Sequence, residues 1–113
     1  MYKKDIENEI AELKKVKSVW NNTTLNKKQA KGLTNQIKIF NHTFSAKFPN
    51  SVKYYRRNGF AEIHITDAIS ELRGYSKSIL KNQDDNYFYD GMKNLNWGID
   101  DLISNLQTEI EEK

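Results

Sequence analysis

The chain has 113 residues, enough for one domain with a single core. Apolar residues make up 37% and charged residues 29%, which excludes wholesale disorder. No apolar run approaches the roughly 18 residues of a membrane span. Cysteine is absent, which excludes disulfides, thiolate metal sites and cysteine nucleophiles. The formal net charge is only +3.

Residues 2–20 are predicted to form an amphipathic helix, because Ile6, Ile10, Leu13, Val16 and Trp20 recur at steps of three and four. The opening Met1–Glu7 is polar and periodic, unlike a signal peptide, so a cytoplasmic chain is expected. Asn21-Asn22-Thr23-Thr24 breaks the pattern with side chains that compete for backbone hydrogen bonds. A second helix is predicted from Thr24 or Asn26 to about Lys47, with a stripe of Ala30, Leu33, Ile37, Phe40 and Phe44. Phe48-Pro49-Asn50-Ser51 is expected to stop it.

Residues 52–65 admit two readings. Asn58-Gly59 is a strong β-hairpin signal, and a two-residue loop there would put Val52, Tyr54, Ala61, Ile63 and Ile65 on one face of a ribbon. Ala61, Ile65, Ala68 and Leu72 also recur at helical spacing. A third helix is expected from about Thr66 as N-cap, carrying Ile69, Leu72, Ser76, Ile79 and Leu80, with Ala68 and Tyr75 beside them. Asn82-Gln83-Asp84-Asp85 separates it from a fourth helix. There Phe88, Met92, Leu95, Ile99, Leu102 and Leu106, then Glu109 or Ile110, make a heptad seam. Gly91 and Gly98 mark places where a neighbouring backbone can come close, and the terminal glutamates oppose the helix dipole and favour fraying. The expected fold is therefore mainly α: residues 1–113 form a single domain, a compact bundle of three or four helices, with or without a hairpin at 52–65.

Charge is distributed unevenly. Residues 21–60 hold eight Lys/Arg and no acid, whereas residues 61–113 hold eleven acids and five Lys/Arg. The basic stretch either meets an acidic partner or is neutralised by the acidic half of its own chain. Lysine outnumbers arginine 15 to 3 and there are 13 asparagines, the bias of an AT-rich bacterial or phage genome.

Little here reads as catalysis. His42 and His64 belong to no zinc-binding spacing, although His64, Asp67 and Glu71 can share a helix face. Asp90-Gly91 resembles part of an EF-hand loop, but that register puts Phe88 and Trp97 at ligand positions. No phosphate loop and no nucleophile–base pairing is found. No cofactor and no metal are expected, and the chain is read as non-enzymatic.

The chemistry concentrates in Lys53-Tyr54-Tyr55-Arg56-Arg57-Asn58-Gly59-Phe60, joined by Lys27, Lys28 and Lys31. Arginines pair with carboxylates and aromatics supply buried area, the composition of a protein interface. The first reading is a protein-binding module (a regulator, inhibitor, immunity protein or assembly partner) that docks an acidic surface. The second is a nucleic-acid-binding protein, with lysines on phosphates and Tyr55 or Phe60 stacked on a base. A third is a structural protein that self-associates through the 88–110 seam.

Overall fold

The structure is a computed structural model that describes residues 2–24, 26–54, 61–78 and 81–112. Helix α1 spans Tyr2–Trp20 and α2 spans Lys27–Lys47. A short α3, Pro49–Tyr54, is followed by α4, Ala61–Lys77, and α5, Lys81–Glu112. The protein is mainly α, with five helices and no strand among the described residues.

In α1 the predicted face is the buried one: Ile6, Ile10, Leu13 and Trp20 are in the core and Val16 packs against it. Burying each such side chain fully is worth about 1.5–3 kcal/mol, so the stripe rather than local propensity holds the helix. Helix α2 begins where Asn26, in extended conformation, accepts hydrogen bonds from Lys28 N (2.8 Å) and Gln29 N (3.3 Å). Its stripe Ala30, Leu33, Ile37 and Phe40 is buried as expected.

Phe48 ends α2 and starts α3. Its N–H donates to Phe44 O at 2.8 Å, and its own carbonyl accepts from Val52 N at 3.1 Å. Pro49 was expected to terminate a helix, but it also opens one. At the first helical position its missing N–H costs nothing, and its fixed φ suits the turn. The next donors are capped from another helix. Glu9 on α1 is buried, and its Oε2 accepts from Asn50 N (3.1 Å) and Asn50 Nδ2 (2.7 Å). Its Oε1 accepts from Ser51 N and Ser51 Oγ, both at 3.1 Å.

The ribbon expected over 52–65 does not form at its two ends. Val52–Tyr54 lie in α3 and Ala61–Ile65 in α4. The Asn58-Gly59 turn lies outside the described residues. Helical spacing prevails in 61–72: Ile65, Ala68, Leu72 and Tyr75 are buried, and Ile69 sits at the edge. Thr66, the expected cap, is an exposed interior position of α4. Asn82–Asp85 likewise belongs to the backbone of α5.

Helices α4 and α5 form an antiparallel pair with the most extensive packing in the molecule. Tyr75 meets Phe88 at 5.4 Å between ring centres, and at the far end His64 lies by Asp101. Leu72 approaches Gly91 so closely that an added Cβ would lie 2.7 Å from Leu72 Cγ, which is why glycine stands there. Helix α1 also runs antiparallel to α5. Lys17 bridges to Asp100 at 2.7 Å, and Asn21 and Asn96 exchange two amide hydrogen bonds of 2.7 and 3.0 Å. Helix α2 lies on α4, and α3 touches α1, α2 and α5. The molecule measures 50 × 21 × 20 Å, and α5 alone, at about 1.5 Å per residue, accounts for the long axis.

The heptad seam of α5 is used within the chain. Phe88, Leu95, Ile99, Leu102 and Leu106 are all in the single core. These seam side chains pack on the chain's own helices. Glu109 takes the seam position after Leu106 and is itself buried, rather than forming part of a loose end. Among the described residues no helix is long and apolar enough to cross a membrane.

Candidate functional site

The predicted site residues that the structure describes fall into two groups, one on α2 and one on α3. Lys27 is half-buried and its ammonium donates to the carbonyl of Ser78, tying the start of α2 to the end of α4. It is therefore a structural tether rather than a free docking charge. Lys28 and Lys31 are exposed on the first turns of α2. Lys53 is exposed on α3, and Tyr54 is its last residue. The 21 residues of α2, about 30 Å of helix, separate these two groups. Tyr55, Arg56, Arg57 and Phe60 lie outside the described residues.

A different basic surface emerges along α2. Lys28, Lys31, Lys38 and His42 are all exposed, and their spacing puts them on the outward side of the helix with Asn35 between them. Lys47 is exposed at its end. Among the described residues no carboxylate pairs with Lys28, Lys31, Lys38 or Lys47. Three acids of α4 and α5 are engaged elsewhere. Asp100 bridges to Lys17, Asp101 lies 3.8 Å from His64 Nε2, and Glu71 accepts from the Asn94 amide. Burial holds the Glu71 carboxyl above its ordinary value; the Asn94 hydrogen bond opposes this, and the charges of Asp90 and Asp67 add to it.

Beside this face an apolar groove runs between α1 and α2. Its floor is aromatic. Trp20 meets Phe40 edge-on at 5.1 Å, Phe40 lies 5.4 Å from Phe44 and 5.5 Å from Phe48, and Phe44 stacks on Phe48 at 5.4 Å. Its lips are Val19 and Ile39, which are 55% and 62% exposed, and its polar rim includes Glu12, Lys15 and Lys47. This stretch encloses about 250 Å³, and a second of about 370 Å³ continues past Gln29 and Gly32, sharing Val19 and Gln36 with the first. An added Cβ at Gly32 would meet nothing within 4 Å.

Sequence reasoning missed this groove because Val19 and Ile39 stand one position before Trp20 and Phe40 and so fall off the two stripes. The signal was present: each extra β-branched residue widens the apolar arc of its helix toward the same side.

A smaller exposed cluster lies on α4 and α5. Trp97 is 47% exposed, Lys93 Nζ sits 4.7 Å from its ring centre, and the His64 ring lies 5.4 Å away. Among the described residues no group of three or more His, Cys, Asp or Glu is placed to hold a metal ion. No family model matches the chain, and neither a curated protein nor a solved structure matches it.

Proposed function

We propose that this chain is a non-enzymatic protein-binding module that docks on an acidic partner surface and acts by occlusion, as a regulator, inhibitor, immunity protein or assembly partner. The observation that carries the reading is the set of exposed lysines on α2, Lys28, Lys31 and Lys38, with no carboxylate partner among the described residues. Left unpaired, these charges steer association with a surface of opposite sign. The segment 53–60 extends the same chemistry, with Arg56 and Arg57 as bidentate donors and Tyr54, Tyr55 and Phe60 as buried area.

The nucleic-acid reading uses the same lysines as phosphate contacts and is the alternative. A pull-down with the tagged chain, run with and without nuclease, separates the two. The expected result is a protein band that survives nuclease and is lost in the Lys28→Glu, Lys31→Glu, Lys38→Glu triple variant. The Arg56→Ala, Arg57→Ala variant reports on the second segment. Recovery of only nuclease-sensitive material, with affinity falling steeply as salt rises, would transfer the assignment to nucleic acid. A band retained in full by the triple variant would overturn the role of α2.

A further inference from the structure

The groove between α1 and α2 is an apolar feature that the core does not consume, and its geometry restricts what can fill it. It is a trough bounded by α1 and α2 over residues 12–20 and 36–47, and it continues along α2 to Gln29 beside Asn22 and Thr23 in the turn that follows α1. Its walls offer helix and turn, and no strand edge. An extended peptide laid there would leave its backbone donors and acceptors unpaired against Val19, Ile39 and the aromatic floor. A helix satisfies its own backbone and presents a ridge of side chains to a trough. The length of the trough corresponds to about 18 residues of helix at 1.5 Å each.

Charge selects among helices. Lys15 and Lys47 stand on the rim against one acid, Glu12, and the unpaired Lys28, Lys31 and Lys38 flank the outer side of α2. A second copy placed groove to groove would bring these lysines onto their own counterparts, which like-charge repulsion opposes. Single-stranded nucleic acid would need open ring faces, yet Trp20, Phe40 and Phe48 are each at most 8% exposed.

We propose that the α1–α2 groove seats an amphipathic helix of a partner protein, apolar on the face that meets Val19 and Ile39 and acidic on its flanks. The proposal rests on the binding-module reading above but not on the segment 53–60.

The test uses the full chain and two fluorescein-labelled synthetic helical peptides of about 18 residues. Both carry leucines at i, i+3, i+4 and i+7; one has glutamate flanks and the other lysine flanks. Fluorescence anisotropy should show the glutamate peptide binding about tenfold tighter or better. Val19→Ser and Ile39→Ser should each weaken it by about tenfold. Both residues are exposed, so the circular dichroism spectrum should not change. The Lys3→Ala, Lys4→Ala variant, which removes two exposed cations at the opposite end of α1, should bind as the parent does. Equal binding of the two peptides would overturn the proposal, as would affinity indifferent to Val19→Ser and Ile39→Ser. It would also fall if a dimer in sedimentation were lost on Ile39→Ser, or if a single-stranded oligonucleotide displaced the peptide. If the peptide fails while the lysine-dependent protein band persists, the groove assignment falls and the binding-module reading stands. If the peptide binds as expected while the captured material is nuclease-sensitive, the groove stands and the role of the α2 lysines is reassigned.

Discussion

Replacing Glu9 by alanine removes the acceptor for both backbone and side-chain donors at the start of α3. Four hydrogen bonds are lost, to Asn50 N (3.1 Å), Asn50 Nδ2 (2.7 Å), Ser51 N (3.1 Å) and Ser51 Oγ (3.1 Å). Losing a helix cap costs about 0.5–2 kcal/mol. Ser51 is 1% exposed, so its donors find no water when the carboxylate goes, which adds about 1–3 kcal/mol. These two effects overlap, and a total loss of about 3 kcal/mol is expected, a large share of the roughly 5–15 kcal/mol typical of a domain. At about 4 °C per kcal/mol for a chain of this size, Tm should fall by about 12 °C. Glu9→Gln keeps one acceptor oxygen and should lose about half as much. Glu12→Ala, one turn along the same helix and exposed, should stay within about 0.5 kcal/mol of the parent. Urea unfolding followed by far-ultraviolet circular dichroism measures all three. If Glu9→Ala costs no more than Glu12→Ala, the carboxylate does not hold α3 and the argument from the cap fails.

Three further substitutions follow from the packing. Glu71→Gln should raise stability at neutral pH, because burial and the charges of Asp90 and Asp67 hold the Glu71 carboxyl above its ordinary value. A raised acid pKa means that the folded state binds the proton more tightly, so the penalty is present above the folded pKa and disappears below the unfolded one. The gain should therefore vanish below about pH 4 in urea titrations across pH; a gain constant with pH would refute it. Gly32→Ala should stabilise by up to about 1 kcal/mol, because the new methyl meets nothing and the helix gains propensity. Gly91→Ala gains the same propensity but drives its Cβ to 2.7 Å from the buried Leu72, so thermal melts should show a net loss of about 1 kcal/mol. A rise in Tm for both variants would show that Leu72 yields easily.

The long stripes were legible because each helix buries one face, and periodicity records that directly. The bounds of α1 and α2 match their stripes to within a few residues. Helix α3 was not legible, since its first-turn donors are capped by a residue some forty positions earlier, and Pro49 reads locally as a stop. For the start of α4 the sequence offers two readings, because Ala61 and Ile65 continue the helical spacing while Thr66-Asp67 looks like a cap; the structure takes the helical one, with Ile65, Ala68 and Leu72 in the core. A glycine interrupting the seam signals a close approach of a neighbouring backbone; at Gly91 the nearest atoms belong to the Leu72 side chain, with its backbone nitrogen next. The charge imbalance pointed to α2, but no one-dimensional pattern shows that Asp100 and Asp101 answer to Lys17 and His64 instead of to the α2 lysines. Nor does such a pattern show that Lys27 is tied to Ser78.

The pairing of α1 with α5 has a consequence for how the chain is made. Contacts between α4 and α5 close short loops; the Glu71–Asn94 bond spans 23 residues. Those between α1 and α5 close long ones, 75 residues for Asn21–Asn96 and 83 for Lys17–Asp100. Long closures are slow and come late. During synthesis α1 leaves the ribosome well before α5 exists, with Ile6, Ile10 and Leu13 still without the helix that α1 packs on most. The nascent chain thus carries an apolar helix face uncovered until α5 follows, an interval in which chaperones or a waiting partner can reach it.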